Sequence, residues 1–170
     1  MGLSSNHPEV KKAKSYTVVS WSGMKQCKPI EPDKINSFRH VFYSMVKTCL
    51  KEGGVGLCAN QVGINWSMFV MQLVGKNEFI GCFNPSWKKH ATDLTVSEEV
   101  EGCLSSYPKQ KKYIVSRPNK ILASWVELTP DGKTIEKKDM LLTGMQARIF
   151  MHEHDHLYLV DISMLGTEKK

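Results

Sequence analysis

An α+β domain, with antiparallel sheets packed around a central helix that carries a His-Glu-x-x-His pattern, is what the sequence predicts. Three observations lead there. Apolar residues recur every three or four positions between Asp33 and Gly53. Short apolar or alternating runs fill residues 68–140. A second helical pattern covers Gly144 to Leu157. No internal repeat or low-complexity linker divides the chain, so residues 16–170 are expected to form a single domain.

Taken in order, residues 1–15 are polar, lysine-rich and aperiodic, which predicts a flexible basic N-terminal arm. The first helix shows the stripe Ile35, Phe38, Val41, Phe42, Met45, Val46, Cys49 and Leu50. Pro32 and Asp33 mark its start, and Gly53 and Gly54 stop it. Cys49 is then a core residue. Strands are expected at Met68–Leu73, Glu78–Phe83 and Ile121–Leu128, each rich in β-branched or aromatic residues. Turns at Gly75-Lys76-Asn77 and Asn84-Pro85 separate them, and Pro130-Asp131-Gly132 folds the last onto Thr134–Met140 as a hairpin. Thr143 and Gln146 have the spacing of a capping box, placing the start of the second helix just after Thr143.

Hydrophobic residues make up 41% and charged residues 24%, an ordinary balance for a soluble globular protein. No apolar run reaches the roughly 20 residues of a membrane span, and residues 1–20 lack the apolar stretch of a secretory signal. Asn6 stands where a myristoylation signal wants Ser or Thr. A cytoplasmic protein without membrane attachment is expected. An odd count of five cysteines (Cys27, Cys49, Cys58, Cys82, Cys103) then favours reduced thiols over a disulfide framework. The net charge of +6 comes largely from lysines at both termini and at Lys109, Lys111 and Lys112. It reads as a solvated basic surface, with attraction to an RNA-rich particle as the sharper alternative. No Arg-rich patch, zinc finger or aromatic platform points to a specific nucleic-acid partner.

The strongest local signal is His152-Glu153-His154-Asp155-His156. Residues four apart stack on one helical face, so His152 and His156 can offer nitrogens to one ion. Glu153 is turned about 100° from His152, beside such an ion rather than on it, where a general base for water belongs. Met145 and Ile149 continue the same stripe, so the metal face points inward. His154 projects from nearly the opposite side and reads as a surface residue. Asp155 either orients a ligand histidine or is a solvated charge. Catalytic sites of this kind commonly need a third protein ligand. No His or Cys follows His156, so the ligand comes from upstream. Cys103, in Glu101-Gly102-Cys103-Leu104-Ser105, is an attractive choice; by chemistry alone the other four cysteines compete with it.

Three segments in order resemble the signature motifs of peptide deformylases. Gly54-Val55-Gly56-Leu57-Cys58-Ala59-Asn60-Gln61 is similar to G-x-G-L-A-A-x-Q, with Cys58 in place of an alanine. Glu101-Gly102-Cys103-Leu104-Ser105 matches E-G-C-L-S, and His152–Leu157 matches H-E-x-D-H-L. The resemblance spans roughly residues 27–164. It implies that Cys103, His152 and His156 hold one divalent metal ion per chain, usually ferrous iron, with zinc, nickel or cobalt as substitutes. It also implies that Glu153 is general base and acid, and that Gln61 and the Leu104 N–H stabilise the oxyanion. Val55, Gly56 and Gly102 would bind the substrate, the first two by pairing with its backbone. Met145, Arg148 and Ile149 would border the methionine pocket. The implied substrate is an N-formyl-Met nascent polypeptide, and the implied state is a monomer with at most a weak ribosome association.

Departures are few. Met151 stands where the family often has Gln, and Tyr158-Leu159 replaces the usual Asn/Asp-Gly. The chain ends at Lys170, so the family's longer C-terminal helix is not expected, which suits a compact variant and weakens the case for a ribosome-docking tail. Two rivals remain at this stage: another metal-dependent amidase or peptidase with the same triad, and a non-catalytic metal-binding relative. Glu153 and Gln61 speak against the second, because a purely structural site needs neither.

Overall fold

The computed structural model describes residues 2–106 and 111–170; Lys109, one of the lysines that carry the basic charge, lies outside them. Along the chain, β1 (Leu3–Ser4) and α1 (Pro8–Lys12) precede a 3-10 segment, Pro32–Phe38, that runs into α2 (Arg39–Lys51). β2 (Gly56–Cys58), β3 (Met68–Gln72) and β4 (Glu78–Lys89) follow. Next come β5 (Val96–Gly102), β6 (Lys112–Pro118), β7 (Lys120–Leu128) and β8 (Thr134–Thr143). The chain closes with α3 (Gly144–Leu157), α4 (Ile162–Leu165) and β9 (Gly166–Glu168). All the strand pairs are antiparallel: β2-β3-β4-β7-β8, with β1 also on β4, and β5-β6-β9. The predicted α+β class holds.

The larger sheet is covered on both faces, which explains why β3 reads as a continuous apolar run. Met68, Val70, Phe79 and Phe83 share a cluster with Phe42, Met45, Val46 and Cys49 of α2. Phe69, Met71, Ile80 and Cys82 alternate to the other face and meet Ala147, Ile149 and Phe150 of α3. Phe150 anchors this second layer, fully buried, with its ring 5.1 Å from that of Phe69. Replacing it with alanine removes the transfer energy of the ring and leaves a cavity. The expected cost is about 3–5 kcal/mol, read as a lower denaturant midpoint with an unchanged slope.

Several boundaries differ from expectation for identifiable reasons. The first helix begins as the 3-10 segment, in which Ser37 Oγ donates to Lys34 O at 2.6 Å, and becomes α-helical at Arg39. Its end is as predicted: Gly53 takes a left-handed φ of 70°, and the Gly54 N–H returns to Cys49 O. Asn84-Pro85 does not end its strand. Asn84, with φ of 48°, makes a bulge inside β4, and its carboxamide brackets Ile30 by accepting from its N–H and donating to its carbonyl. The β7–β8 hairpin forms as expected. Thr143 precedes α3, but no capping box closes: Gln146 Oε1 accepts from the Val74 N–H at 2.9 Å instead. Residues 2–15 include β1 and α1. Leu3 pairs opposite Phe79, and Leu3 and Val10 are buried in the α2 layer.

Candidate active site

Three separate parts of the chain meet at one end of α3. The helix presents His152 and His156, the turn after β5 brings Cys103, and a 3-10 turn after β2, Ala59–Val62, brings Gln61. Cys103 Sγ lies 3.3 Å from His156 Nε2, which is 3.2 Å from His152 Nε2. One donor atom from each of the three residues falls within a 4.8 Å set, so this group could hold a metal ion. The 3.2 and 3.3 Å separations suit edges of a tetrahedron whose bonds are about 2.0–2.3 Å, the range for nitrogen and thiolate ligands. The donor set fits a divalent cation of intermediate softness.

The electrostatics agree. Glu101 Oε2 holds His152 Nδ1 at 2.9 Å, which turns Nε2 towards the other two donors. Arg117 clamps the same carboxylate with Nε at 2.6 Å and Nη2 at 2.9 Å, and Arg148 Nη1 adds a bond at 2.6 Å. Burial alone would raise the pKa of Glu101; the hydrogen bonds from His152 and Arg117 outweigh it and hold the group at about 2. His152 is also largely shielded, yet its hydrogen bonds to Cys103 and Glu101 raise its pKa to about 10. A site that attracts a proton so strongly is one whose field favours a cation. Burial, then the neighbouring His152 charge, push His156 well down, leaving a neutral ring.

Glu153 is buried, and its Oε2 has no hydrogen-bond partner among the described residues. Burial raises its pKa to about 7, where it can both take and return a proton. Gly56 packs directly on it: a Cβ at that position would sit 2.4 Å from Glu153 Oε1. Gly56→Ala is therefore expected to displace the carboxylate and lower turnover at least about 10²-fold while His152 and His156 still bind metal, as judged by metal content beside steady-state rates. Gln61 is fixed by its Oε1, which accepts from the Cys58 N–H at 2.8 Å. Its Nε2 donates to Ser105 Oγ at 3.1 Å and lies 3.6 Å from Cys103 Sγ.

A cavity of about 350 Å³ opens beside these groups. Of the residues singled out in the sequence, Gln61, Leu104, Cys103, His152, Glu153, Val55, Gly56, Gly102, Met145, Arg148 and Ile149 all line it, and His156 stands behind the others. Val55 and Met145 are half exposed at its rim. Arg148 differs from a simple pocket wall, because its buried guanidinium is spent on Glu101, Val115 O and Ser97. His154 is not a surface residue. It projects away from the ligand face as expected, but the far side of α3 is covered, and its ring packs near Phe150, Trp87 and Tyr158. Burial lowers its pKa to about 4. Asp155 pairs with Arg117 Nη1 at 2.8 Å, so it acts on the ligands only through Arg117 and Glu101. Met151 is buried in the apolar layer. Glu101 and Arg117 were given no role by the sequence. The only cue for Glu101 was its place two residues before Cys103, and Arg117 had none.

The family model described as Polypeptide deformylase matches residues 23–160. This chain belongs to the polypeptide deformylase family. Peptide deformylase 2 of Gloeobacter violaceus is 34% identical over 122 residues, covering 70% of this chain and 60% of that protein. The chloroplastic Peptide deformylase 1B of Oryza sativa is 36% identical over 131 residues, 73% of this chain and 45% of that one. The matched region thus spans three fifths of the first relative and under half of the second. Among solved structures, the peptide deformylase of Thermotoga maritima superposes with a TM-score of 0.74 at 27% identity, covering 90% of this chain and 98% of that chain. The fold described above is thus similar to that of the Thermotoga maritima protein.

Proposed function

We propose that this chain hydrolyses the N-terminal formyl group of formyl-methionyl polypeptides and releases formate. One observation carries the reading: the Cys103, His152 and His156 donors converge beside an open cavity in which Glu153 presents an unpartnered carboxylate oxygen. A divalent cation held by the three would supply Lewis acidity, polarising the formyl carbonyl and easing deprotonation of the attacking water. Ferrous iron is the metal that the family resemblance favours, with zinc, nickel or cobalt as substitutes.

The chain's own residues account for the other steps. Glu153 takes the proton of the water that adds to the formyl carbon. Gln61 Nε2 and the Leu104 N–H donate to the oxyanion that forms on the carbonyl oxygen, and such preorganised donors are worth about 10²–10³ in rate each. Glu153 then returns the proton to the amine nitrogen as the C–N bond breaks, freeing formate and the methionyl amine. Val55 and Gly56, at the edge of β2, align the peptide as an added strand. Met145 and Ile149 offer an apolar wall for an unbranched thioether side chain.

The deciding experiment compares formyl-Met peptides with acetyl-Met peptides and internal amides on protein loaded with metal under anaerobic conditions. Formylated peptides should be turned over at least about 10²-fold faster, since the extra methyl group must be rejected by the pocket. Equal rates across the three would replace this reading with a broader metal-dependent amidase.

A further inference from the structure

All five cysteines are free, and two outside the ligand set, Cys27 and Cys58, belong to one packed layer. Cys58, which replaces the alanine of the first signature motif, is buried at the end of β2. Its Sγ accepts from the Gln61 N–H while its own N–H donates to Gln61 Oε1, so thiol and carboxamide cap each other. Cys27 is half-buried and packs against the layer that contains Cys58. The two thiols are hydrogen-bonded to each other, and the Asn60 N–H points to both sulfurs. The segment around Cys27 is pinned in place. Its N–H donates to Leu157 O at 3.1 Å, Asn60 Nδ2 donates to Lys25 O at 3.1 Å, and the Lys28 N–H donates to Asn65 O at 3.0 Å. Cys27 is half-buried, Cys58 is enclosed, and the scaffold holds the two side by side.

We infer that Cys27 and Cys58 form a reversible disulfide when the protein meets peroxide, and that closing it pulls on the Cys58 backbone that holds Gln61. The Cys27 sulfur attacks one peroxide oxygen, the O–O bond breaks, and the departing oxygen takes up the thiol proton as water, leaving a sulfenic acid. The Cys58 sulfur then attacks Cys27 Sγ, the S–O bond breaks, and a second water carries away the Cys58 proton. Two thiols and one peroxide become one disulfide and two waters, with two electrons passed to the peroxide. The order follows from the surroundings. The hydrogen bond from Cys58 lowers the Cys27 pKa, whereas burial raises that of Cys58. Closing the bond draws the two sulfurs to about 2.05 Å; the Cys58 backbone, whose N–H holds Gln61 Oε1, moves with its sulfur, and the oxyanion donor at the site is displaced.

The test uses zinc-loaded protein, because zinc is redox-inert. It is treated with one equivalent of hydrogen peroxide, then alkylated, digested and analysed by mass spectrometry. A linked peptide joining Cys27 and Cys58 is expected, with zinc retained and formyl-Met peptide turnover down by about 10²-fold, the scale of one lost oxyanion donor. Dithiothreitol should restore the rate, and Cys27→Ala should keep its activity under the same treatment. Absence of the linked peptide, or equal inactivation of Cys27→Ala, overturns the inference. The link is read by mass and does not depend on the proposed activity. Protein that is inert towards formyl peptides before oxidation would sink the functional reading, while the linked peptide still decides this one.

Discussion

Glu153→Ala is expected to bind its metal at full occupancy and to hydrolyse formyl-Met peptides about 10⁴-fold more slowly, the upper range for a single general acid–base group. The separation of the two effects follows from the helix. Glu153 lies next to the ligands, but its carboxylate is not one of the three converging donors. Loss of the side chain therefore leaves the ligand face intact. It also removes a buried carboxyl oxygen that has no hydrogen-bond partner among the described residues. Burying such a group is costly, so the variant should melt at a higher temperature than the parent while doing less chemistry. Metal analysis, initial rates and a thermal melt on one preparation test all of this. Unchanged turnover would refute the role given to Glu153.

Cys103→Ala should fail at an earlier stage, with no metal to measure. Two imidazoles at helical spacing remain, but the thiolate that offsets the cation's charge is gone, and a three-ligand site becomes a two-ligand one. The fold should survive. Cys103 belongs to a small apolar cluster with Val115 and Ile162, and alanine keeps most of that contact. Near-parental circular dichroism with metal content close to zero is the expected pair of results. Full occupancy would mean that the third ligand is another residue.

The parts of the site that could be read from sequence are those within one helix. His152, Glu153 and His156 follow from the 3.6-residue period, and α3 begins where Thr143 places it. The α2 stripe and the β7–β8 hairpin are equally local patterns. Cys103 needed the family resemblance, because spacing alone could not choose among five thiols. Glu101 and Arg117 were out of reach for a different reason. Their pairing joins residues on facing strands, β5 and β6, and β5 reads Val96-Ser97-Glu98-Glu99-Val100, a run with too many charges to announce a strand. The burial of Glu101 arises only when Arg117 and Arg148 arrive from elsewhere in the chain. His154 shows the opposite error. The angular count placed it correctly on the far side of α3, and the tertiary packing of β4 and β7 against that side leaves it half-buried.

Arg117 grips a carboxylate on β5 and another on α3, and β5 and β6 belong to a sheet that α3 does not otherwise join by strand pairing. The ionic cross-brace therefore ties the smaller sheet to the helix on which the ligands ride. Shifts of that sheet are passed to the imidazole of residue 152 through a single carboxyl group, without any slack side chain between. Ligand orientation is thereby inherited from the folded scaffold rather than left to the cation that the three donors would hold.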